Sequence, residues 1–298
     1  MAAPAIPATG RAIEVRASRG LWRDAMRRLL RNKPALLGLL FIGIFVFAAV
    51  FAPLIAPYGP LEGTLVQRMK PPGGAHLFGT DLQGRDELTR ILYGAQVSLL
   101  AGVASVIMGL SIGGIAGALA GGLGGWVDSV LMRVVDVMLS IPGILLAIGI
   151  VAWLDRGLPQ IMFAVAMTNA PIFARILRGS LLSLRNSDYV TAAQSIGAPP
   201  SRILLRHMLP NSLTALIVAA TLALATAIID VAGLGFLGLG PPDPRTPEWG
   251  TMLTDSTKFL RQAPWLIFLP GLAIVISAIG FNLLGDGLRE SLDPRLKR

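Results

Sequence analysis

Six long stretches without a charged residue dominate this sequence of 298 residues. The shortest has 18 residues and the longest has 37, and a helix needs about 20 apolar residues to cross a bilayer. Only 14% of the residues are charged, against roughly 25% in soluble domains. The sequence therefore predicts an all-α membrane protein with six transmembrane helices, at 35–56, 97–121, 134–153, 158–176, 212–234 and 264–285.

The basic residues are distributed unevenly around these spans. Six spans place both termini on one side of the membrane, and eighteen of the 26 Lys and Arg residues fall on that side. Basic residues concentrate on the cytoplasmic side of membrane proteins, so both termini are predicted to be cytoplasmic. This bias explains the net charge of +9 better than nucleic-acid binding, which we do not expect.

The segments between the spans divide the chain further. Residues 1–19 are rich in Ala, Pro and Arg and predict a disordered cytoplasmic tail. Residues 20–33 combine apolar and basic side chains in the pattern of an amphipathic helix at the membrane surface. The other predicted units are a first transmembrane helix at 34–56, an external segment at 57–92, a five-helix core at 93–286 and a cytoplasmic tail at 287–298.

The composition argues against several kinds of site. The chain has no cysteine, which excludes disulfides and thiolate metal sites. Its two histidines, His76 and His207, are predicted outside the spans, so no metal or Ser–His site is expected. No phosphate-binding G-x-x-x-x-G-K-[ST] motif occurs, and no catalytic residue or bound cofactor is predicted.

Glycines recur every fourth residue along the second predicted span. One helical face without side chains allows a neighbouring helix to approach closely. The spacing predicts a packing face, whose partner helix belongs either to this chain or to another subunit. Its members are Gly109, Gly113, Gly117, Gly121 and Gly125.

A polar segment at 180–210 separates the fourth and fifth spans. Ser187 suits the start of a short helix, and Gly197 suits the left-handed position that ends it. A second short helix is expected over 201–208, with Pro210 opening the fifth span. Two short helices joined at a glycine predict a surface that binds a partner protein, although a plain surface hairpin is the alternative.

The residues of this segment resemble the cytoplasmic EAA loop of ABC-importer permeases, in which Glu-Ala-Ala is followed by Gly and then Leu-Pro. The matching residues are Thr191, Ala192, Ala193, Gly197, Leu209 and Pro210. Over about 20–298 the chain resembles the second, C-type permease of dipeptide, oligopeptide, glutathione and nickel importers. Further stretches that carry this resemblance are 78–86, 94–99, 235–240 with 246–250, and 281–289 with 292–294.

The resemblance implies a type I importer core of five helices with cytoplasmic coupling helices, in a bacterial inner membrane. It implies a heterodimer with a homologous second permease, two ATPase subunits that bind ATP and Mg, and an extracytoplasmic substrate-binding protein. Peptides are the expected substrates, with glutathione or nickel as alternatives, whereas an ion-coupled secondary transporter or an intramembrane enzyme is a remote alternative. The predicted ATPase-coupling residues are Tyr189, Thr191, Ala192, Ala193, Gly197, Arg202, Arg206, Leu209 and Pro210, with Thr191 replacing the Glu of the motif.

Polar residues inside the spans are candidates for the translocation path, because such groups usually face a cavity or the bundle interior. Asp230 either lines the path or pairs with a neighbouring helix, and Asn169 is a second candidate. Asp128, Arg133 and Asp136 lie at the start of the third span, where Arg133 and Asp136 are one helical turn apart. They suggest a local ion pair or a contact with the partner subunit, with a gate as the alternative. Trp249 and Trp265 fit an interfacial aromatic belt, and the segment around Trp249 alternatively contacts the binding protein or braces the outer mouth.

Overall fold

The computed structural model describes residues 21–243 and 245–292. The predicted tail at 1–19 and the last six residues lie outside that part of the chain. Eleven α-helices run through the described residues, with isolated β-bridges but no strand among them. They are α1 (Leu21–Leu29), α2 (Lys33–Ile55), α3 (Glu87–Leu123), α4 (Gly125–Ser140), α5 (Gly143–Leu154), α6 (Leu158–Leu184), α7 (Asp188–Ser195), α8 (Pro200–Arg202), α9 (Leu209–Leu234), α10 (Trp249–Ser256) and α11 (Trp265–Leu292).

Five helical segments are long and apolar enough to cross a membrane. They are α2, α3, α6, α11 and the continuous run Pro200–Leu239, in which π-helical turns flank α9. The pair α4 and α5 passes the same test but is bent by 97°. The predicted all-α fold is confirmed, and the number of spans reaches six when this bent pair counts as one.

The third predicted span, 134–153, falls on the bent pair α4 and α5. Helix α4 ends at Ser140, and Ile141 has extended backbone angles of φ −93° and ψ 129°. A residue that precedes proline is pushed out of the helical region, and here Pro142 follows and caps α5. The proline therefore divides this apolar stretch into two helices.

Three spans extend further than the uncharged stretches suggested. Helix α3 begins at Glu87, ten residues before 97, because Asp86 caps it by accepting a 2.8 Å hydrogen bond from the Thr89 N–H. Helix α6 continues to Leu184 and α11 to Leu292, beyond the expected ends at 176 and 285. Hydropathy marks only the lipid-buried part of a helix, and capped or packed turns continue past it.

The glycine face of α3 packs on α6 of the same chain. A Cβ placed on Gly113 would lie 2.1 Å from the Ala170 carbonyl oxygen, and one on Gly117 would lie 2.5 Å from that of Ala174. Gly109 and Gly121 approach the same helix. Four glycines thus face residues that also repeat every four positions along α6, which brings the two backbones into contact.

Gly125 does not take part in this contact. An added Cβ there meets nothing within 4 Å, and its φ of +60° follows a φ of +68° at Gly124. Both values lie in the left-handed region that glycine adopts without strain. Gly125 therefore belongs to the turn between α3 and α4, not to the packing face.

Gly113→Ala should destabilise the protein by about 1–3 kcal/mol, because the new methyl group forces α3 and α6 apart. The neighbouring Gly114 has nothing within 4 Å of an added Cβ, so Gly114→Ala is a matched control. That control should be neutral or slightly stabilising, since alanine is the better helix former. Thermal unfolding in detergent measures both, and equal melting temperatures for the two variants would contradict the close contact.

Candidate functional site

The polar segment at 180–210 forms a helix–turn–helix against the end of α6. Gly197 has a φ of +78°, as predicted for the residue that ends α7. The Gly197 N–H donates to the Gln194 carbonyl at 2.9 Å, and the Ala198 N–H donates to the Ala193 carbonyl at 3.1 Å. This pair of bonds is the Schellman pattern of helix termination, so the turn depends on glycine at 197.

The second predicted helix differs in detail from the expectation. Helix α8 is a single turn, and 203–208 is π-helical before it runs into α9. Pro210 has no N–H, and its ring would clash with a carbonyl four residues earlier in an α-helix. The wider π turn avoids that conflict, which explains why the chain passes from the segment into α9 without a break.

One face of the segment is buried in the apolar core of the protein. Val190 is fully buried, Ala193 is 7% exposed and Ile203 is 5% exposed, and they share one apolar cluster with Leu177 and Leu181 of α6. Ala193 of the motif is therefore a packing residue, whereas its neighbour Ala192 is exposed. This packing joins the segment to the apolar core that includes α6.

The opposite face is exposed and partly apolar. Ile196 is 85% exposed, Leu205 is 63% exposed and Tyr189 is 39% exposed. The remaining exposed residues with predicted coupling roles are Thr191, Ala192, Gly197, Arg202, Arg206 and Pro210, while Leu209 is half-buried. Apolar side chains beside two arginines form a surface suited to a protein partner, and we call this surface the coupling face.

Thr191 is directed back toward its own helix. Its hydroxyl donates to the Ser187 carbonyl at 3.2 Å, in the pattern common for threonine inside helices. Ser187 occupies the N-cap position, but its hydroxyl donates to the Leu184 carbonyl at 2.6 Å instead of accepting from the helix. The position that carries Glu in the motif therefore presents no charge on the coupling face.

Two ion pairs tie α4 to α6 next to the segment. Arg178 makes a two-point contact with Asp128 at 2.5 and 2.7 Å, and Arg175 contacts Asp136 at 2.6 Å. The suggested local pair between Arg133 and Asp136 is wrong, because the Asp136 carboxylate bonds to α6. Bidentate contacts of this kind fix geometry as well as charge, so α4 is joined to the helix that carries the segment.

The two path candidates lie in different environments. Asp230 is half-buried on α9, and no hydrogen bond or ion pair engages its carboxylate within 21–243 and 245–292. Gly233, one turn further, has open space at an added Cβ. Asn169 is 5% exposed, donates to the Val165 carbonyl at 2.9 Å and packs beside Gly109. The structure therefore places Asn169 in the α3–α6 contact rather than on an open face.

A buried carboxyl group, that of Glu248, lies between the first turns of α3 and the end of α9. Glu248 is fully buried, and its oxygens accept from the Gly250 N–H at 2.8 Å and the Thr251 N–H at 2.9 Å. A Cβ on Gly235 would lie 2.3 Å from this carboxyl group. Burial raises the pKa of Glu248 from 4.5 to about 7, although its hydrogen bonds act in the opposite direction.

Trp249 shares that buried site. It is fully buried, its indole N–H donates to the Ile91 carbonyl at 3.2 Å, and its ring lies against Gly94 of α3. Trp249 therefore does not belong to an interfacial aromatic belt, and α10 braces the ends of α3 and α9. The sequence signal that identifies this brace is the pair of glycines, Gly94 and Gly235, which provide space for Trp249 and Glu248.

A further polar cluster precedes α3, and the sequence reasoning did not assign it a structure. Asp81 accepts from the Arg85 backbone N–H at 2.8 Å and from the Arg85 Nε at 2.7 Å, with Arg90 nearby at 3.4 Å. Asp86, besides capping α3, contacts His76 at 3.0 Å. Among the described residues, no group of three His, Asp or Glu side chains is placed to hold a metal ion.

Comparison with known proteins identifies the chain's relatives. The family model of the binding-protein-dependent transport system inner membrane component matches 113–298, which is more than half of the sequence. The chain belongs to this family. The model of the N-terminal transmembrane domain of oligopeptide transport permease C also matches this permease, at 20–72, which supports the predicted C-type subunit.

Individual relatives cover almost the whole permease. It is 46% identical to the dipeptide transport system permease protein DppC of Alkalihalophilus pseudofirmus, over 93% of this chain and 90% of that protein. It is 41% identical to the oligopeptide transport system permease protein OppC of Bacillus subtilis, over 94% and 92%. It is 43% identical to the glutathione transport system permease protein GsiD of Escherichia coli, over 93% of this chain and 91% of that protein.

A solved structure shares the fold. The MetNI methionine ABC transporter, in an inward-facing conformation, matches 68% of this chain and 96% of its own chain with a TM-score of 0.58. The sequence identity of 22% limits this likeness to architecture. It agrees with the predicted ABC-importer permease core.

The buried Glu248 carboxyl should make stability depend on pH. Because its folded-state pKa lies above its ordinary value, its contribution is fully present below about pH 4.5 and is lost as pH rises through 7. The difference in free energy of unfolding between wild type and Glu248→Gln should change by about 3 kcal/mol across this window. Unfolding at pH 4.5 and 7.5 measures it, and a constant difference would contradict the buried environment of this carboxyl group.

Proposed function

We propose that this permease is the membrane subunit of an ATP-driven importer of di- or oligopeptides, fed by an extracytoplasmic binding protein. The coupling face carries the proposal, because it offers a fixed, exposed surface on a chain without a phosphate-binding loop. Its relatives named for dipeptides, oligopeptides and glutathione support a peptide substrate. Glutathione is a possible tripeptide substrate, and nickel is the alternative within the same architecture.

In this proposal, the permease transmits motion and the chemistry occurs elsewhere. Two cytoplasmic ATPase subunits bind ATP and Mg, and each receives one coupling segment. A force on α7 passes to α6 through Val190 and Ala193, and from α6 to α3 through the glycine contact. Packed helices move as units because interiors are dense and resist compression, so the push reorients the core rather than deforming the segment.

A homologous second permease is the proposed partner within the membrane, forming a heterodimer around the path. Helix α4 offers an exposed apolar stripe at helical spacing, with Trp126 76% exposed, Val130 51% and Val134 53%. Stripes of this size on a membrane helix are covered by lipid or by another helix. The second subunit would complete the path beside the open face of α9.

Asp230 is the proposed selectivity residue of that path. A carboxylate beside open space attracts the ammonium group of a peptide, and intramembrane charges commonly mark substrate pathways. Its alternative role is a contact with the second permease. Asp230→Asn would reduce uptake of substrates with a free amino terminus selectively in the first case, and uptake of all substrates equally in the second.

The proposed location is the bacterial inner membrane, with both termini in the cytoplasm. Eighteen of the 26 basic residues lie on the side of the termini and the coupling segment, which supports this orientation. The ATPases would then meet the coupling face in the compartment that contains ATP.

The substrate is tested by uptake of labelled di- and tripeptides in cells with and without the permease, each before and after ATP depletion. We expect uptake to require both the permease and ATP. Uptake that persists without the permease would remove peptides as substrates, and nickel uptake would then be measured in the same strains. Uptake that needs the permease but survives ATP depletion would contradict an ATP-driven importer.

Ile196→Glu should disrupt coupling without harming the fold. The side chain is 85% exposed, so a charge there costs little stability in the isolated permease. If the ATPase covers this side chain, a central apolar position in the interface contributes about 2 kcal/mol or more to binding. We expect co-purification of the ATPase subunits to fall by roughly 30-fold or more. The control is Val66→Glu, at a 90% exposed position in the external segment.

Gly197→Pro is the complementary backbone variant. Proline cannot adopt the positive φ and cannot donate to Gln194, so the turn between α7 and α8 must change. We expect membrane insertion to be retained and peptide uptake to be lost. Normal uptake by this variant would contradict the coupling role. An equal loss of co-purified ATPase subunits in Ile196→Glu and Val66→Glu would contradict it as well.

A further inference from the structure

Helix α1 presents three distinct faces. Ala25 is 8% exposed, and the Leu29 side chain lies beside Gly287 of α11, 3.3 Å from the position of an added Cβ. Met26 and Leu30, four residues apart, are 55% and 53% exposed. Exposed arginines follow on the third face, so one side of α1 packs on the protein while the others remain accessible.

The start of α2 holds α1 at the end of the transmembrane bundle. Asn32 caps α2 by accepting from the Ala35 N–H at 3.1 Å, and its amide donates to the Glu290 carboxylate at 2.7 Å. Helix α2 begins at Lys33 and α11 ends at Leu292, and both are spans. Helix α1 therefore lies where the hydrocarbon layer meets the polar headgroups.

The charge of this region has one dominant sign. Five basic residues and one acidic residue occupy 21–33, and none of the five is engaged in an ion pair within the described part of the chain. The basic residues are Arg23, Arg27, Arg28, Arg31 and Lys33. Arg23 and Arg27 stand one turn apart next to the exposed apolar pair, so positive and apolar surfaces meet along one edge of the helix.

We infer that α1 is a binding site for anionic phospholipid headgroups. The guanidinium groups match phosphate in charge and hydrogen-bonding geometry, and Met26 and Leu30 enter the boundary between headgroups and acyl chains. Anionic lipid then joins α1, α2 and α11 at one end of the bundle. This site is separate from the coupling face and does not depend on which solute is transported.

The test uses the full chain and native mass spectrometry, with retention of phosphatidylglycerol compared with retention of phosphatidylcholine. Arg23→Gln with Arg27→Gln should weaken phosphatidylglycerol retention by roughly 30-fold, since each basic residue near an anionic surface contributes about 1 kcal/mol. Lys258→Gln with Arg261→Gln removes the same charge from exposed positions in the outer segment and should leave retention unchanged. Arg23→Lys with Arg27→Lys should retain most of the binding.

Each other outcome overturns the inference. Equal loss in the α1 variant and its charge-matched control would show a response to net charge. Unchanged phosphatidylglycerol retention together with lost ATPase co-purification would assign α1 to a protein partner. The melting temperatures of both variants are also measured in pure phosphatidylcholine. If the glutamine and the lysine variants both melt at a lower temperature than the wild type, the arginines maintain the fold instead of binding lipid.

Discussion

The contact between the glycine face of α3 and the backbone of α6 is the constraint on which the rest of the molecule depends. At Gly113 the approach is so close that even a methyl group would meet the Ala170 carbonyl oxygen at 2.1 Å. Association inside a bilayer gains little from the hydrophobic effect, so close packing of small residues has to supply it. Helix α3 in turn contacts α2, α9 and α11, and its position fixes theirs.

Both ends of the bundle are built on that pair. At one end, α7 and the π turn before α9 bury Val190 and Ile203 in the cluster that contains Leu177. At the other, Glu248 and Trp249 fill the spaces left by Gly235 and Gly94. The close contact between α3 and α6 therefore lies between the coupling face at one end of the bundle and the buried Glu248 at the other.

The sequence predicted the fold class, the approximate positions of the spans and the Gly197 turn, because hydropathy, glycine spacing and turn chemistry are local signals. It left the effect of Pro142 open, because a proline inside an apolar stretch can bend a helix or start one. It also missed the pairing of Asp136 with Arg175, which depends on which helix lies alongside α4. The buried state of Trp249 and Asn169 likewise depends on tertiary contacts, since the space for Trp249 is provided by Gly94, which is distant in the sequence.

The proposed coupling requires the segment at 180–210 to be attached rigidly to the core. Because this chain has no cysteine, two spin labels can be placed uniquely within it. We would label Gly179→Cys on α6, where an added Cβ meets nothing within 4 Å, and Ser195→Cys on α7, and measure their distance by electron paramagnetic resonance in the assembled transporter. We expect this distance to change by less than about 2 Å between nucleotide-free and ATP-bound states. A larger shift or a second distance population would show that the segment moves independently of α6.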